Sequence, residues 1–200
     1  MTLDEHTVPA EPMDLVVTWL DEARRADNPV PDAMAVATVS SSGRPSNRFV
    51  LLKGADQRGI VFFSNYASRK GEDLNANPYA AAVLFWPQPR RQIRLEGLVE
   101  RIQPAESDAY FSTRDRSSRI GAIVSRQSRP VAGRAELVHA VEEYETKLAG
   151  QEPVRPQYWG GYRLMPDVVE FWSGRSGRLH DRIRYRRAAD QSWLIKRLAP

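Results

Sequence analysis

The chain has 200 residues, 42% hydrophobic and 27% charged, which is close to one domain in length with enough apolar content to bury a core. Cysteine is absent, and this excludes disulfides, thiolate zinc sites, iron–sulfur ligation and a cysteine nucleophile. Lys+Arg 29 against Asp+Glu 25 gives a net charge of +4; every cation except Lys53, Lys70, Lys147 and Lys196 is arginine, whose planar fork suits phosphate and carboxylate.

Met1–Glu11 is polar and acidic with no leader-like apolar run. No stretch approaches the roughly 20 apolar residues of a membrane span, so a cytoplasmic protein without membrane contact is expected. Residues 1–12 read as a flexible lead-in and 13–200 as one domain. From Pro12 to Arg25, Val16, Trp19, Leu20 and Ala23 recur at helical spacing behind a proline suited to a first turn. The period then changes. Ala33–Val39, Ser46–Lys53, Ile60–Ser64, Ala80–Trp86 and Arg91–Ile102 read as strands, parted by turn signals at Ser41–Gly43, Gln57–Gly59 and Pro87–Pro89. A short helix is predicted between Ser68 and Asn77, and Pro104 opens another through Phe111. Gly133–Leu148 reads as a helix with Leu137, Val141, Tyr144 and Leu148 on one face and Gly150 placed to end it. Short strands return at Tyr162–Met165, Val168–Trp172, Leu179–Arg187 and Trp193–Leu198. Many short strands joined by tight turns predict a mainly antiparallel β sheet or barrel with helices packed outside it.

Several chemistries are missing from the sequence. There is no G-x-G-x-x-G after a strand, no Walker loop and no G-x-S-x-G elbow. His6, His139 and His180 are too few and scattered for a histidine-rich metal site. Chemistry on this chain therefore calls for a borrowed cofactor. Four polar clusters stand out. Arg48 and Lys53 bracket an apolar run and, at a period of two, point to opposite strand faces; solvated strand ends account for them equally well. Ser64–Lys70 lies where a strand hands over to a helix, a plausible anion cradle or a charged capping loop. Gln92 shares a strand face with Arg94 and Glu96, opposite Ile93 and Leu95, as a half-buried strand requires. In extended conformation Arg178, His180 and Arg182 project from one face, with Trp172 upstream as an aromatic wall; these cations repel unless an anion lies near.

Arg48–Lys53, Phe63–Lys70, Arg91–Gly97, Ser107–Arg114, Gln127-Ser128, Trp159–Gly161, Glu170–Trp172, Arg178–Arg187 and the ending Arg197–Pro200 resemble the pyridoxamine 5′-phosphate oxidase family, in order, from about residue 13 to the C-terminus. The resemblance implies an FMN-binding split β-barrel, antiparallel and Greek-key-like, that forms a homodimer with FMN at the subunit interface. It implies oxidation of pyridoxine 5′-phosphate or pyridoxamine 5′-phosphate to pyridoxal 5′-phosphate, with oxygen as electron acceptor and hydrogen peroxide as by-product. It places FMN on Arg48, Val50, Leu51, Lys53, Phe63, Ser64, Arg69, Lys70, Gln92, Gln127, Ser128, Trp172 and Arg182. The substrate phosphate falls to Lys53, Tyr110, Arg114 and Ser118, with Arg178 and His180 over the pyridine ring as the catalytic pair. No metal is implied. Two departures from the family are visible: Met1–Glu11 lacks the arginine and tyrosine of the segment that covers substrate, and Asp115 follows Arg114 where proline is common. The alternatives are a related oxidase of a secondary-metabolite ring such as a phenazine precursor, and, from pI ≈ 9.6 and the basic-aromatic C-terminal strand, a nucleic-acid-binding barrel.

Overall fold

The computed structural model describes residues 3–200. Helix α1 (Pro12–Arg25) begins with proline at its first turn, carries Asp14 near its start and Arg24 and Arg25 in its last turn, and so complements the helix dipole at both ends. Its apolar stripe, Leu15, Val16, Trp19, Leu20 and Ala23, is buried, and Trp19 meets Phe171 edge-on at 5.2 Å.

Strands β1 (Ala33–Val39), β2 (Pro45–Asp56) and β3 (Gly59–Asn65) form a meander. After helix α2 (Arg69–Ala76), strand β4 (Tyr79–Trp86) returns to the free side of β1, which is Greek-key connectivity. Strand β5 (Arg91–Arg101) and strand β6 (Trp159–Ser173) follow, and pairing of β6 with β3 closes six strands into a barrel. Strands β7 (Asp181–Arg187) and β8 (Trp193–Arg197) extend the sheet beyond it, and every pairing is antiparallel. Phe62, Ile60, Leu52, Ile93, Leu95 and Leu164 fill the interior. Each such side chain contributes about 1.5–3 kcal/mol by leaving water.

Two predicted short strands are one. Pro166 and Asp167 do not end β6; the register steps from Glu96 opposite Val168 to Gly97 opposite Pro166, leaving Asp167 as a bulge. Glycine is required at the step, since a Cβ on Gly97 would lie 2.1 Å from the Met165 carbonyl oxygen. Before the bulge β6 pairs with β3, and after it with β7. The bulge is thus where the strand leaves the barrel for the extension.

Helix α3 (Pro104–Ser112) matches expectation. Helix α4 (Arg116–Val124) was not predicted, because Ile120 is its only buried residue and no apolar stripe announces it. Helix α5 (Arg134–Leu148) is present, but none of its residues is buried, and its apolar face packs only partly, on α4. Ala149 and Gly150 adopt left-handed conformations that end it. Ahead of α1, Leu3 is buried, Tyr185 Oη donates to the Pro9 carbonyl at 2.8 Å, and Arg197 pairs with Glu5 and donates to the Leu3 carbonyl. Residues 3–11 therefore lie along β7 and β8.

The C-terminal strand begins later than Leu179. Gly177 and Arg178 both take left-handed backbone angles, φ 64° and 62°, within a 3₁₀ turn at Ser176–Arg178, and Leu179 is 74% exposed. Arg178, His180 and Arg182 consequently do not alternate along one extended face, which corrects the geometric argument from their spacing. Only Arg182 lies within the strand.

Candidate functional site

A cavity of about 320 Å³ opens beside β2 and β3, lined by Arg48, Phe49, Val50, Leu51, Lys53, Phe63, Ser64, Lys70, Tyr110, Arg114, Gln127 and Trp159. Strand β2 supplies both of its faces: Arg48 and Val50 are half-buried, while Phe49, Leu51 and Lys53 are exposed, as a period of two requires. Arg48 and Lys53 therefore reach the cavity from opposite sides of one strand. Lys70 sits in the first turn of α2, where Ser68 caps the helix by accepting the Gly71 N–H.

The cavity is rich in cations and poor in counter-charge. Lys70 Nζ donates to Ser64 Oγ at 2.9 Å, Gln127 Oε1 at 2.9 Å and Ser68 Oγ at 3.3 Å, all neutral acceptors. Burial, and secondarily the Arg48 charge, push its pKa down to about 8. Burial also lowers the Arg48 value, with Asp73 opposing and Arg69 adding to the shift. Arg69 opens α2 beside this group without lining the cavity.

An aromatic wall faces these cations. Phe63 and Tyr110 stack at 3.8 Å, Trp159 continues the stack at 5.5 Å from Phe63, and the Arg114 guanidinium lies 4.8 Å over the Trp159 ring. Burial lowers the Arg114 pKa. Its Nη1 is buried and has no hydrogen-bond partner among the described residues. An adjoining cavity of about 310 Å³ shares Arg114, Gln127 and Trp159 and adds Ser118, Asn65 and Ser125. Ser128, next to Gln127, takes a left-handed φ of 71°.

A second group of predicted residues lies elsewhere. Gln92, Trp172 and Arg182 face one another in a cross-strand row over β5, β6 and β7. Arg182 Nε donates to Glu170 Oε1 at 2.9 Å, and the His180 ring packs 4.7 Å from Trp172. His180 Nδ1 accepts the Arg175 N–H at 3.1 Å, which leaves its proton on Nε2. Arg175 Nε and Arg197 Nη1 both reach the Asp181 carboxylate, at 2.6 and 2.8 Å, and fix the loop that carries Arg178 and His180. None of these residues lines the two cavities above. Arg178 is separated from them as well.

Residues 20–148 match the family described as pyridoxamine 5′-phosphate oxidase, and residues 159–200 match the pyridoxine 5′-phosphate oxidase C-terminal dimerisation region. This chain belongs to the pyridoxamine 5′-phosphate oxidase family. It is 54% identical over 198 residues to a pyridoxine/pyridoxamine 5′-phosphate oxidase of Cupriavidus taiwanensis, covering 99% of this chain and 93% of the relative. A Bordetella avium protein of the same description is 52% identical over 196 residues, covering 98% and 92%. Among solved structures, PhzG of Burkholderia lata, in complex with tetrahydrophenazine-1-carboxylic acid, superposes with a TM-score of 0.94 at 32% identity, over 100% of this chain and 98% of that one.

The first matched region holds Gln92 and every residue lining the cation-rich cavity except Trp159. The dimerisation region holds Trp159 at one end and Trp172, Arg178, His180 and Arg182 at the other. Sequence reasoning missed Phe49 and Trp159 as cavity walls, and Thr38 and Asp73 behind Arg48. Trp159 had a signal in its Trp-Gly-Gly motif, where Tyr66 Oη crowds Gly160 closely enough to forbid a side chain. Asp73 had none, because its partner Thr38 is 35 residues away.

Proposed function

We propose that this chain is an FMN-dependent oxidase that converts pyridoxine 5′-phosphate or pyridoxamine 5′-phosphate to pyridoxal 5′-phosphate, consuming oxygen and releasing hydrogen peroxide, and that it works as a homodimer. The observation that carries the reading is the unbalanced charge of the cavity: Lys70 with neutral acceptors only, and Arg114 with a buried unpaired Nη1. Leaving the Arg114 donor unpaired costs about 1–3 kcal/mol, and a phosphate dianion would both remove that cost and supply the counter-charge that Lys70 lacks among its neutral acceptors. The residues present fit two phosphates. Arg48, Arg69, Lys70, Ser64, Gln127 and Ser128 would hold that of FMN, and Lys53, Tyr110, Arg114 and Ser118 that of the vitamer.

FMN, when bound, supplies the acceptor for the hydride leaving the vitamer's side-chain carbon. The protein's own contribution is binding and orientation. Gln92, Trp172 and Arg182 would meet the flavin, and Arg178 and His180 would lie over the pyridine ring. With Nδ1 engaged by the Arg175 N–H, Nε2 is the His180 atom free to hydrogen-bond the vitamer. A second reading, oxidation of a phenazine-type ring, is motivated by the superposition on PhzG. The retained set Tyr110, Arg114 and Ser118 favours a phosphorylated substrate.

The test joins both groups of residues. Arg48→Ala and Arg182→Ala should each abolish peroxide formation from pyridoxine 5′-phosphate. Co-expressed, they should recover about a quarter of wild-type activity, because half of random dimers carry one intact site out of two. No recovery would mean that both residues serve a site within one chain. Full activity of either single variant would remove that residue from the site.

A further inference from the structure

Arg48 is also held by a buried polar chain whose members, Thr38 and Asp73, do not line the cavity. Arg48 Nη1 donates to Thr38 Oγ1 at 2.7 Å, and Thr38 Oγ1 donates in turn to Asp73 Oδ2 at 2.6 Å. Arg48 Nη1 also reaches the Val36 carbonyl at 3.2 Å, Nη2 donates to Ser46 Oγ at 2.7 Å, and Asp73 Oδ2 stands 3.8 Å from Nη2. Thr38 is fully buried and Asp73 is 5% exposed. A carboxylate this deep is costly unless it is paired, and among the described residues Arg48 is the cation that pairs it.

The chain also has a direction. A threonine hydroxyl has one proton. Because that proton goes to Asp73, the lone pairs of Thr38 Oγ1 are turned toward Arg48. Without the carboxylate the hydroxyl is free to rotate, and the guanidinium loses one of the three acceptors that fix its plane. The elements involved are rigid: Thr38 is on β1, Arg48 on the neighbouring β2, and Asp73 on α2, the helix that also presents Lys70. One network therefore ties together the elements that carry Arg48 and Lys70, two of the cations lining the cavity.

We infer that Thr38 and Asp73 are positioning residues that aim the Arg48 guanidinium at the cofactor phosphate. The inference rests on the reading of Arg48 as a phosphate ligand. It makes a prediction opposite in sign to simple electrostatics. Removing the Asp73 charge strengthens the positive field in the cavity, so field alone predicts tighter binding of an anion by Asp73→Asn. Positioning predicts weaker binding.

The experiment is fluorescence titration of the apoprotein, prepared from the full-length holoenzyme, with FMN and with riboflavin, which lacks the phosphate. Thr38→Val should weaken FMN binding about tenfold and leave riboflavin binding unchanged. Thr38→Ser, which keeps the hydroxyl, should stay within about twofold of wild type. Asp73→Asn should weaken FMN binding in the same phosphate-dependent way. Tighter FMN binding by Asp73→Asn, or equal losses for FMN and riboflavin in Thr38→Val, overturns the inference. Should Thr38→Val fail to fold, Thr38→Ser and Asp73→Asn decide the matter by the same two criteria. Arg48→Ala separates the two levels of argument. If it leaves FMN affinity intact, the phosphate role of Arg48 falls; if it weakens binding while Asp73→Asn and Thr38→Val do not, only the positioning role falls.

Discussion

Arg114→Met should make the protein a worse enzyme and a more stable one. The guanidinium lies 4.8 Å over Trp159, its pKa is lowered by burial, and Nη1 has no partner among the described residues. In the ligand-free protein an unpaired buried donor costs about 1–3 kcal/mol, against about 0.5–2 kcal/mol returned by stacking on the indole. Methionine keeps most of the packing and removes the unpaired charge. The apoprotein should gain on the order of 1 kcal/mol, which at this length raises the melting temperature by about 2–4 °C. Catalysis moves the other way. Losing a charge-assisted hydrogen bond to phosphate costs about 1.5–3 kcal/mol, so kcat/KM for pyridoxine 5′-phosphate should fall roughly 10- to 150-fold. Unphosphorylated pyridoxine, a poor substrate from the start, should lose nothing further. The assay is peroxide production with each vitamer, beside thermal melting of the apoprotein. Equal losses with both vitamers, or unchanged kcat/KM with the phosphorylated one, would refute the assignment of Arg114 to the substrate phosphate.

Lys70 gives FMN binding a pH dependence. Its pKa in the ligand-free protein is pushed down to about 8 from an ordinary 10.5, and a phosphate dianion favours the charged form and raises it again. The complex therefore holds more protons than the apoprotein above about pH 8, so affinity should fall as pH rises through that range, with proton uptake seen by calorimetry in two buffers; Lys70→Gln should flatten the profile. For Arg178, side chain and backbone separate. Arg178→Ala and Arg178→Gly should both lower kcat/KM about a hundredfold, or about 2.7 kcal/mol, with FMN still bound. The glycine variant should be the more stable of the two by about 1 kcal/mol in denaturant titration, because φ is 62° at this position. Equal stabilities would show that the left-handed conformation relaxes without cost.

What the sequence made legible was whatever a single element decides alone. Gln92–Glu96 alternates because one face of β5 is buried: Ile93 and Leu95 are buried while Gln92, Arg94 and Glu96 are more exposed. Pro12 and the stripe behind it fixed α1 for the same reason. Where two elements decide together, reading failed. Pro166 and Asp167 look like a strand break, yet Gly97 on the neighbouring strand absorbs them as a bulge. Arg178 looked extended because arginine seldom adopts positive φ, and Gly177 beside it was the available hint. The cavity residues came from motif resemblance, whereas the direction of the Arg48–Thr38–Asp73 chain follows only from atoms brought together across three elements.

The distance between the two groups of site residues bears on the subunit question. Trp159, in the wall of the cation-rich cavity, and Trp172, beside His180, lie near opposite ends of β6, a single strand of 15 residues. At about 3.3 Å per residue the 13 steps from Trp159 to Trp172 span roughly 43 Å of extended strand, and twist and the bulge shorten that only partly. One flavin cannot lie against both ends of it. On the proposed function, a site that uses both groups would take the Trp159 end from one chain and the Trp172 end from another, which is what the co-expression of Arg48→Ala and Arg182→Ala tests. The bulge at Asp167 is what lets one strand belong to the barrel at its Trp159 end and to the β7–β8 extension at its Trp172 end. Half-sites on opposite ends of a strand also make activity depend on the square of the subunit concentration once the dimer dissociates, whereas FMN held by one chain's phosphate cradle would be retained in part by the monomer.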